Sequence, residues 1–261
     1  MNLYDKEINI IKFFQEIEVK KIHFCQFNFG TVKIFNSIYF KKKWQKWTDT
    51  SLKKLPPPDF YNNKLKLMMD VMRIDDHSYV DKDGRSVNLH NKRESELIKE
   101  LISKNESIRD VLENGRLYIT PRHEKFGEED HNYNLYIKNF ERVITNHINK
   151  IENYKKNHPN FKVIFLIFDE STPYMKRLSK NEPKVPGDLI YGKLHLWWND
   201  YNMLKIINNS KIDYVIWMSP YKIFQTTRKV KIPVINIIDV KKINIENTIK
   251  YDAKDMQSTE L

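Results

Sequence analysis

Apolar side chains recur along the chain at two different spacings, which separate predicted helices from predicted strands. Residues 5–18 have apolar side chains at helical intervals, with no glycine or proline among them. Residues 23–40 alternate apolar and polar side chains around Gly30, which predicts two strands joined by a turn or bulge. The first part of the chain therefore begins with a helix and continues into extended structure.

The second half of the chain alternates amphipathic helices with uninterrupted apolar runs. The helix predicted over 136–151 has an apolar stripe that includes His147, and it precedes the apolar run 163–168. A helix over 194–207 precedes the run 214–218, and residues 232–240 supply one more strand. Strands that are apolar on both faces are covered by helices on both sides, which indicates an α/β fold.

The organisation of the chain favours a single domain. We find no internal repeat and no linker, so we predict one α/β domain over 1–250 and a polar tail over 251–261. Between its two halves, a helix is predicted over 94–103 and a short strand over 117–120.

Composition and charge narrow the classes of function. Forty-five Lys and Arg against 34 Asp and Glu give a formal charge of +11, which favours polyanionic partners, nucleic acid first and acidic proteins or membranes second. The chain is also rich in Lys, Asn and Ile, a composition that an AT-rich genome gives to any protein. One cysteine, no apolar leader and no 18-residue apolar window predict a cytoplasmic protein without a membrane partner.

The chain lacks the sequence motifs of three common enzyme classes. Its six glycines form no G-x-G-x-x-G, no Walker A loop and no G-x-S-x-G elbow. Dinucleotide oxidoreductases, P-loop ATPases and serine hydrolases are therefore disfavoured.

The spacing of the two acidic residues in the segment 58–73 indicates a candidate active site. Pro58-Asp59 is followed by a predicted turn at Asn62-Asn63, and Asp70 lies eleven residues after Asp59 inside an apolar run. Two carboxylates brought together by a hairpin can hold a hard divalent cation. In this order of elements, Pro58-Asp59 and Asp70-Val71-Met72 resemble the two parts of the motif of the PD-(D/E)XK nuclease superfamily.

The resemblance covers roughly residues 5–120 and carries several implications. It implies a restriction-endonuclease-like fold, which has a mixed central sheet with an N-terminal β-hairpin portion and helices on both faces. Residues 121–250 would extend that sheet. It also implies hydrolysis of DNA with Mg²⁺ or Mn²⁺ held by Asp59 and Asp70, a role that suits intracellular defence or the handling of phage or mobile-element DNA. The lysine of the family's motif is replaced by Met72, for which Lys66 is the natural substitute. Glu16 or Glu18 on the first helix would be the additional acidic residue.

The register of the hairpin decides whether the two carboxylates meet. A tight two-residue turn at Asn62-Asn63 would pair Asp59 with Lys66 and leave Asp70 roughly 13 Å further along the strand. A wider loop through Lys64 and Leu65, or a bulge, would place Asp59 opposite Asp70. The alternative is that both are ordinary strand residues, one solvated and one in a salt bridge.

Two basic segments are candidates for binding nucleic acid. In the first, lysines could follow the phosphate backbone while aromatic rings stack on bases; its members are Lys41, Lys42, Lys43, Trp44, Lys46 and Trp47. Its alternative is a solvated lysine face whose tryptophans are anchored in the core. Arg228 and Lys229 belong to the second segment.

Asp169 and Glu170 form an alternative site. They end the apolar run 163–168, and ligands of open α/β sheets gather outside the carboxyl ends of strands. The same pair could instead cap a turn through Ser171 and Thr172. A non-catalytic protein with a degenerate nuclease-like fold, which binds nucleic acid or an acidic protein, remains the rival to the enzyme.

Overall fold

The computed structural model describes residues 6–51, 58–76, 78–80, 86–88, 132–178, 192–222 and 232–259. The helices of this part of the chain are α1 (Glu7–Glu16), α2 (Phe29–Tyr39), α3 (Lys41–Trp44), α4 (Tyr133–Ile148), α5 (Ile151–Asn157) and α6 (Tyr201–Asn208). Its strands are β1 (Ile22–Phe24), β2 (Thr48–Asp49), β3 (Phe60–Asn62), β4 (Leu67–Ile74), β5 (Ser78–Val80), β6 (Ser86–Asn88), β7 (Lys162–Asp169), β8 (Tyr174–Arg177), β9 (Gly192–Leu194), β10 (Tyr214–Met218), β11 (Ile235–Asp239) and β12 (Met256–Ser258).

Among these residues, seven strands form one mixed sheet in the order β1-β11-β10-β7-β4-β3-β2. Strands β4, β7 and β10 run parallel to one another at its centre, and β11 runs antiparallel to β10. At one edge, β2, β3 and β4 form an antiparallel meander. A small second sheet has the order β12-β8-β9, and β5 pairs with β6.

Alternation along the central strands builds a hydrophobic core on each face of the sheet. In β7, Val163, Phe165 and Ile167 pack with helices α4, α5 and α6, whereas Ile164, Leu166 and Phe168 pack with α1 and α2. The predicted α/β class, with helices on both faces of a mixed sheet, is therefore confirmed.

The prediction of two strands over residues 23–40 was wrong. Only β1 is extended there, and α2 starts at Phe29. Asn28 caps α2 through a capping box, in which its side chain accepts from the Thr31 amide and the Thr31 hydroxyl accepts from the Asn28 amide. The apparent alternation contained a helical stripe, since Ile34, Phe35 and Ile38 are buried together.

The structure differs from two other predictions. The expected polar tail is folded through residue 259, because Met256–Ser258 pairs with β8 and Tyr251 and Met256 are buried. The helix predicted over 194–207 begins only at Tyr201, after a 3₁₀ turn at Trp197–Asn199. The predicted helix 94–103 and strand 117–120 lie outside the described residues.

Within the described ranges, no helix is both long and apolar enough to cross a membrane.

Candidate functional site

The β3–β4 hairpin has the wider of the two loops considered from the sequence. Residues 63–66 form the loop, and the strands pair Asn62 with Leu67 and Phe60 with Met69. This register, continued by one residue, places Asp59 opposite Asp70. Directly opposed residues of an antiparallel pair have Cβ atoms about 5 Å apart. The hairpin therefore brings together the two predicted ligands.

The carboxyl groups of Asp59 and Asp70 interact with each other. Burial first, and then the charge of Asp70 together with a hydrogen bond to its carboxyl group, raise the pKa of Asp59 to about 8. One hydrogen bond opposes this shift, because Oδ2 of Asp59 accepts from the Val71 amide at 2.7 Å. The pair is a concentrated negative site that favours a proton or a cation.

Asp70 is held in place from the α4 side of the sheet. Its side chain is only 4% exposed, and its Oδ2 lies 2.5 Å from Nδ1 of His147 in α4. The hydroxyl of Tyr154, in α5, donates to the same oxygen at 3.1 Å. Burial and the adjacent Asp70 charge raise the pKa of Tyr154, so its hydroxyl remains a hydrogen-bond donor. These contacts fix the rotamer of Asp70.

An open cleft of about 290 Å³ has among its walls Val71 and His147, the residues that bond Asp59 and Asp70, but neither aspartate itself. This edge cleft lies beside the part of β4 that β3 does not cover, between α1 and α4. Its walls are formed by Glu7, Ile10, Val71, Met72, Arg73, Val143 and His147.

Glu7, rather than Glu16 or Glu18, is the acidic residue that the first helix directs to the site. Its charge contributes to the raised pKa of Asp59. Glu16 and Glu18 are exposed, and Glu18 forms a salt bridge with Lys20. The site therefore includes an acidic helix residue at the opposite end of α1 from the predicted position.

Lys66 does not lie beside the carboxyl pair. It ends the loop with a left-handed backbone (φ 55°), and its ammonium group sits 5.1 Å from the centre of the Phe161 ring. Leu67, the residue after Lys66, begins β4, and Asp70 lies three residues beyond Leu67, about 10 Å further along the strand. Met72, at the motif's lysine position, is buried among the α4-side core residues.

The basic segment 41–47 contains exposed lysines, a buried Trp47 and a partly buried Trp44. Lys41, Lys42, Lys43 and Lys46 are exposed. Trp47 is only 8% exposed and donates from Nε1 to the Ser37 carbonyl, while Trp44 stacks on Trp47 and contacts Phe60. The lysines are available to a polyanion, whereas the tryptophan rings belong to the core, as in the alternative interpretation of this segment. Arg228 and Lys229 lie outside the described residues.

Asp169 is at the carboxyl end of β7, as predicted, but it is saturated by protein donors. It is fully buried, and it accepts from the Ser171 amide and hydroxyl, the Tyr136 hydroxyl and Nε1 of Trp217. The ammonium group of Lys222 lies 3.5 Å away. A carboxylate has about four acceptor positions, so little capacity remains for a ligand.

Glu170 is also engaged, through two hydrogen bonds from Arg73. Burial raises the pKa of Glu170, and the Arg73 charge opposes this shift. The alternative pair is thus divided between a buried structural network and an ion pair beside the edge cleft.

Three residues of the site escaped the sequence interpretation: His147, Tyr154 and Glu7. The available signal for His147 was its position on the apolar stripe of a helix, where a histidine usually has a buried partner. Glu7 and Tyr154 offered no comparable pattern, because their positions depend on how α1 and α5 pack.

Within the described residues, no group of three or more His, Cys, Asp and Glu side chains is arranged to hold a metal ion. Comparison of the chain with protein-family models, with curated proteins and with solved structures found no match. The functional argument therefore depends on the geometry of the site.

Proposed function

We propose that the protein is a divalent-cation-dependent nuclease, with a PD-(D/E)XK-like fold, that hydrolyses phosphodiester bonds of DNA. One observation carries the proposal: Asp59 and Asp70 face each other on the hairpin, and their carboxyl groups interact beside an open cleft. A carboxyl group such as that of Asp59, whose pKa is strongly raised by burial and by a neighbouring carboxylate, is typical of functional sites.

The donor set fits Mg²⁺ or Mn²⁺. Mg²⁺ is commonly bound through one or two carboxylates, with water and substrate phosphate oxygens as the other ligands, so a site without a third protein ligand is compatible. Asp59 and Asp70 would hold the ion, and Glu7 adds negative charge nearby. A bound ion would supply Lewis-acid stabilisation of the phosphoryl oxygens and a water of lowered pKa.

The chain's own residues orient the pair and shape access to it. His147 and Tyr154 fix one oxygen of Asp70, and the Val71 amide fixes one oxygen of Asp59. We infer that a phosphate group would reach the pair through the edge cleft, because Val71 and His147, which bond the two aspartates, are among its walls. The exposed lysines Lys41 and Lys42 would attract the DNA backbone from a distance.

The test is cleavage of supercoiled plasmid and of single-stranded DNA with Mg²⁺, with Mn²⁺ and with chelator. We expect metal-dependent cleavage that falls by at least about 100-fold in Asp59→Asn and in Asp70→Asn, because each change removes a charged ligand. Asp49→Asn is the matched control, since Asp49 is an exposed aspartate of β2 in the same sheet.

The rival function is a non-catalytic protein that binds nucleic acid or an acidic protein. It is favoured by Met72, whose buried side chain occupies the position of the motif's lysine. Salt-sensitive DNA binding without cleavage under any metal condition would support this rival and contradict the nuclease. Absence of DNA binding at low salt would remove both nucleic-acid functions.

A further inference from the structure

A second cleft, of about 340 Å³, lies between α2, α3 and the loop of the β3–β4 hairpin. We refer to it as the lysine cleft, because four of its wall residues are Lys33, Lys43, Lys46 and Lys64. Its volume is within the usual range for a small-molecule site.

The lysine cleft and the carboxyl pair are on opposite faces of the same hairpin. Along β3, Phe60 and Asn62 point to the α1–α2 side, where Phe60 joins the core and Asn62 lines the lysine cleft. Asp59 lies two residues before Tyr61, so its side chain points to the same face as that of Tyr61, which packs on the α4 side. A ligand in the lysine cleft therefore does not occupy the proposed nuclease site.

The charge of the lysine cleft selects an anion. Its walls contain no Asp or Glu, and no ion pair involves its four ammonium groups within the part of the chain that the structure describes. Ammonium groups are compact point charges that bind phosphate well. The four lysine side chains give the cleft a positive charge, which an anionic ligand would neutralise.

The remaining walls suit a flat apolar group attached to that anion. Phe29 is 84% exposed, an unusual state for a phenylalanine, and it lines the cleft with Val32 and Leu65. Base-on-aromatic stacking tolerates any base, because every base has a π-face. The amide of Asn36 adds hydrogen-bonding capacity at the same wall.

We propose that the lysine cleft binds a single nucleotide unit, with its phosphate among the four lysines and its base against Phe29. The size of the cleft admits one such unit rather than a duplex. The unit is either a free nucleotide or the terminal nucleotide of a single strand, since both present the same chemistry. This proposal does not depend on the nuclease function.

The test is calorimetric titration, in chelator and at low salt, with a 5′-deoxynucleotide, the corresponding nucleoside, inorganic phosphate and a 5′-phosphorylated hexanucleotide. We expect the nucleotide to bind and the nucleoside not to bind. Lys46→Glu and Lys64→Glu should each weaken nucleotide binding by at least about tenfold, the effect of losing one charge-assisted contact. Phe29→Ala should weaken binding of the nucleotide but not of inorganic phosphate.

Lys12→Glu is the matched control, because Lys12 is exposed on α1 but does not line the cleft. A change of less than about twofold is expected for it. Loss equal to that of Lys46→Glu would overturn the proposal in favour of diffuse attraction, and so would absence of nucleotide binding by the folded wild-type protein.

The hexanucleotide separates the two sources of the ligand. Binding at least about tenfold tighter than the free nucleotide identifies a strand end, and equal binding identifies a free nucleotide. These titrations are made in chelator and measure binding alone, whereas the nuclease test measures metal-dependent cleavage, so failure of the nuclease function and failure of this inference are distinguishable.

Discussion

At the scale of single residues, Asp59 is the most unusual ionisable group of the hairpin. Its pKa rises from an ordinary 3.8 to about 8, because its carboxyl group is partly buried and lies near the charge of Asp70. The folded protein therefore holds a proton that the unfolded chain releases above pH 4.

This shift predicts a pH-dependent stability. The contribution of the Asp59 proton is complete below about pH 4 and is lost as the pH rises to about 8, so the free energy of unfolding should fall across this window. Asp59→Asn carries no titrating group, and its stability relative to the wild type should increase from pH 4 to pH 8. Urea unfolding in chelator at several pH values measures this difference.

Asp49→Asn removes an exposed aspartate from the same sheet and should not reproduce that increase. A stability difference between Asp59→Asn and the wild type that is constant with pH would show that folding does not raise the pKa of Asp59.

At the scale of elements, the strength of the local pattern decided which predictions held. The apolar runs in β7 and β10 have no polar residue between 163 and 168 or between 214 and 218, so the sequence identified them as buried strands. In α2, β-branched and aromatic residues surround Gly30 and imitate a strand. Packing of Ile34 and Ile38 against the sheet overrides that local preference.

The carboxyl pair was predictable as two candidates but not as a pair. The sequence contained both aspartates, yet they face each other only because the loop spans the four residues 63–66. Lys66 adopts a left-handed conformation that a lysine seldom takes, and the Asn62 side chain accepts from the Leu65 amide. Neither feature is evident from the residue pattern.

The N-terminal cap of α2 provides a test at this scale. Asn28 caps the helix, and its Nδ2 also donates to Asp239 at the end of β11. Asn28→Ala should therefore lower the free energy of unfolding by about 1–2 kcal/mol, at the upper end for a cap. Chemical denaturation measures the loss.

Asn134→Ala, in the exposed first turn of α4, is the control and should change stability by less than about 0.5 kcal/mol. Equal losses in the two variants would indicate that the cap and its bond to Asp239 contribute nothing specific.

At the scale of the whole molecule, a buried polar network connects β7, β10 and α4. Lys222 is 3% exposed, and its ammonium group donates to the Ser171 hydroxyl and the Thr172 carbonyl near Asp169. Burial lowers the pKa of Lys222, while the charges of Asp169 and Asp76 oppose this. The network compensates charges that the core could not otherwise accommodate.

Removal of this lysine should destabilise the fold. Lys222→Met leaves Asp169 without its buried counter-charge, for which the expected loss is about 3–5 kcal/mol. Lys211→Met is the control, because Lys211 forms an exposed pair with Glu152 and should lose less than about 1 kcal/mol. Urea unfolding of both variants makes the comparison, and similar small losses would mean that the network is dispensable.

The register of the central sheet has a consequence for how the site is assembled. Leu67 pairs with Lys162, 95 residues later, whereas Asp59 and Asp70 are eleven residues apart. Hairpins form in microseconds, and pairing between distant strands is slow. During synthesis, we therefore expect the two acidic side chains to meet in water first. The imidazole and phenol that later enclose Asp70 would arrive only when the second half of the chain docks.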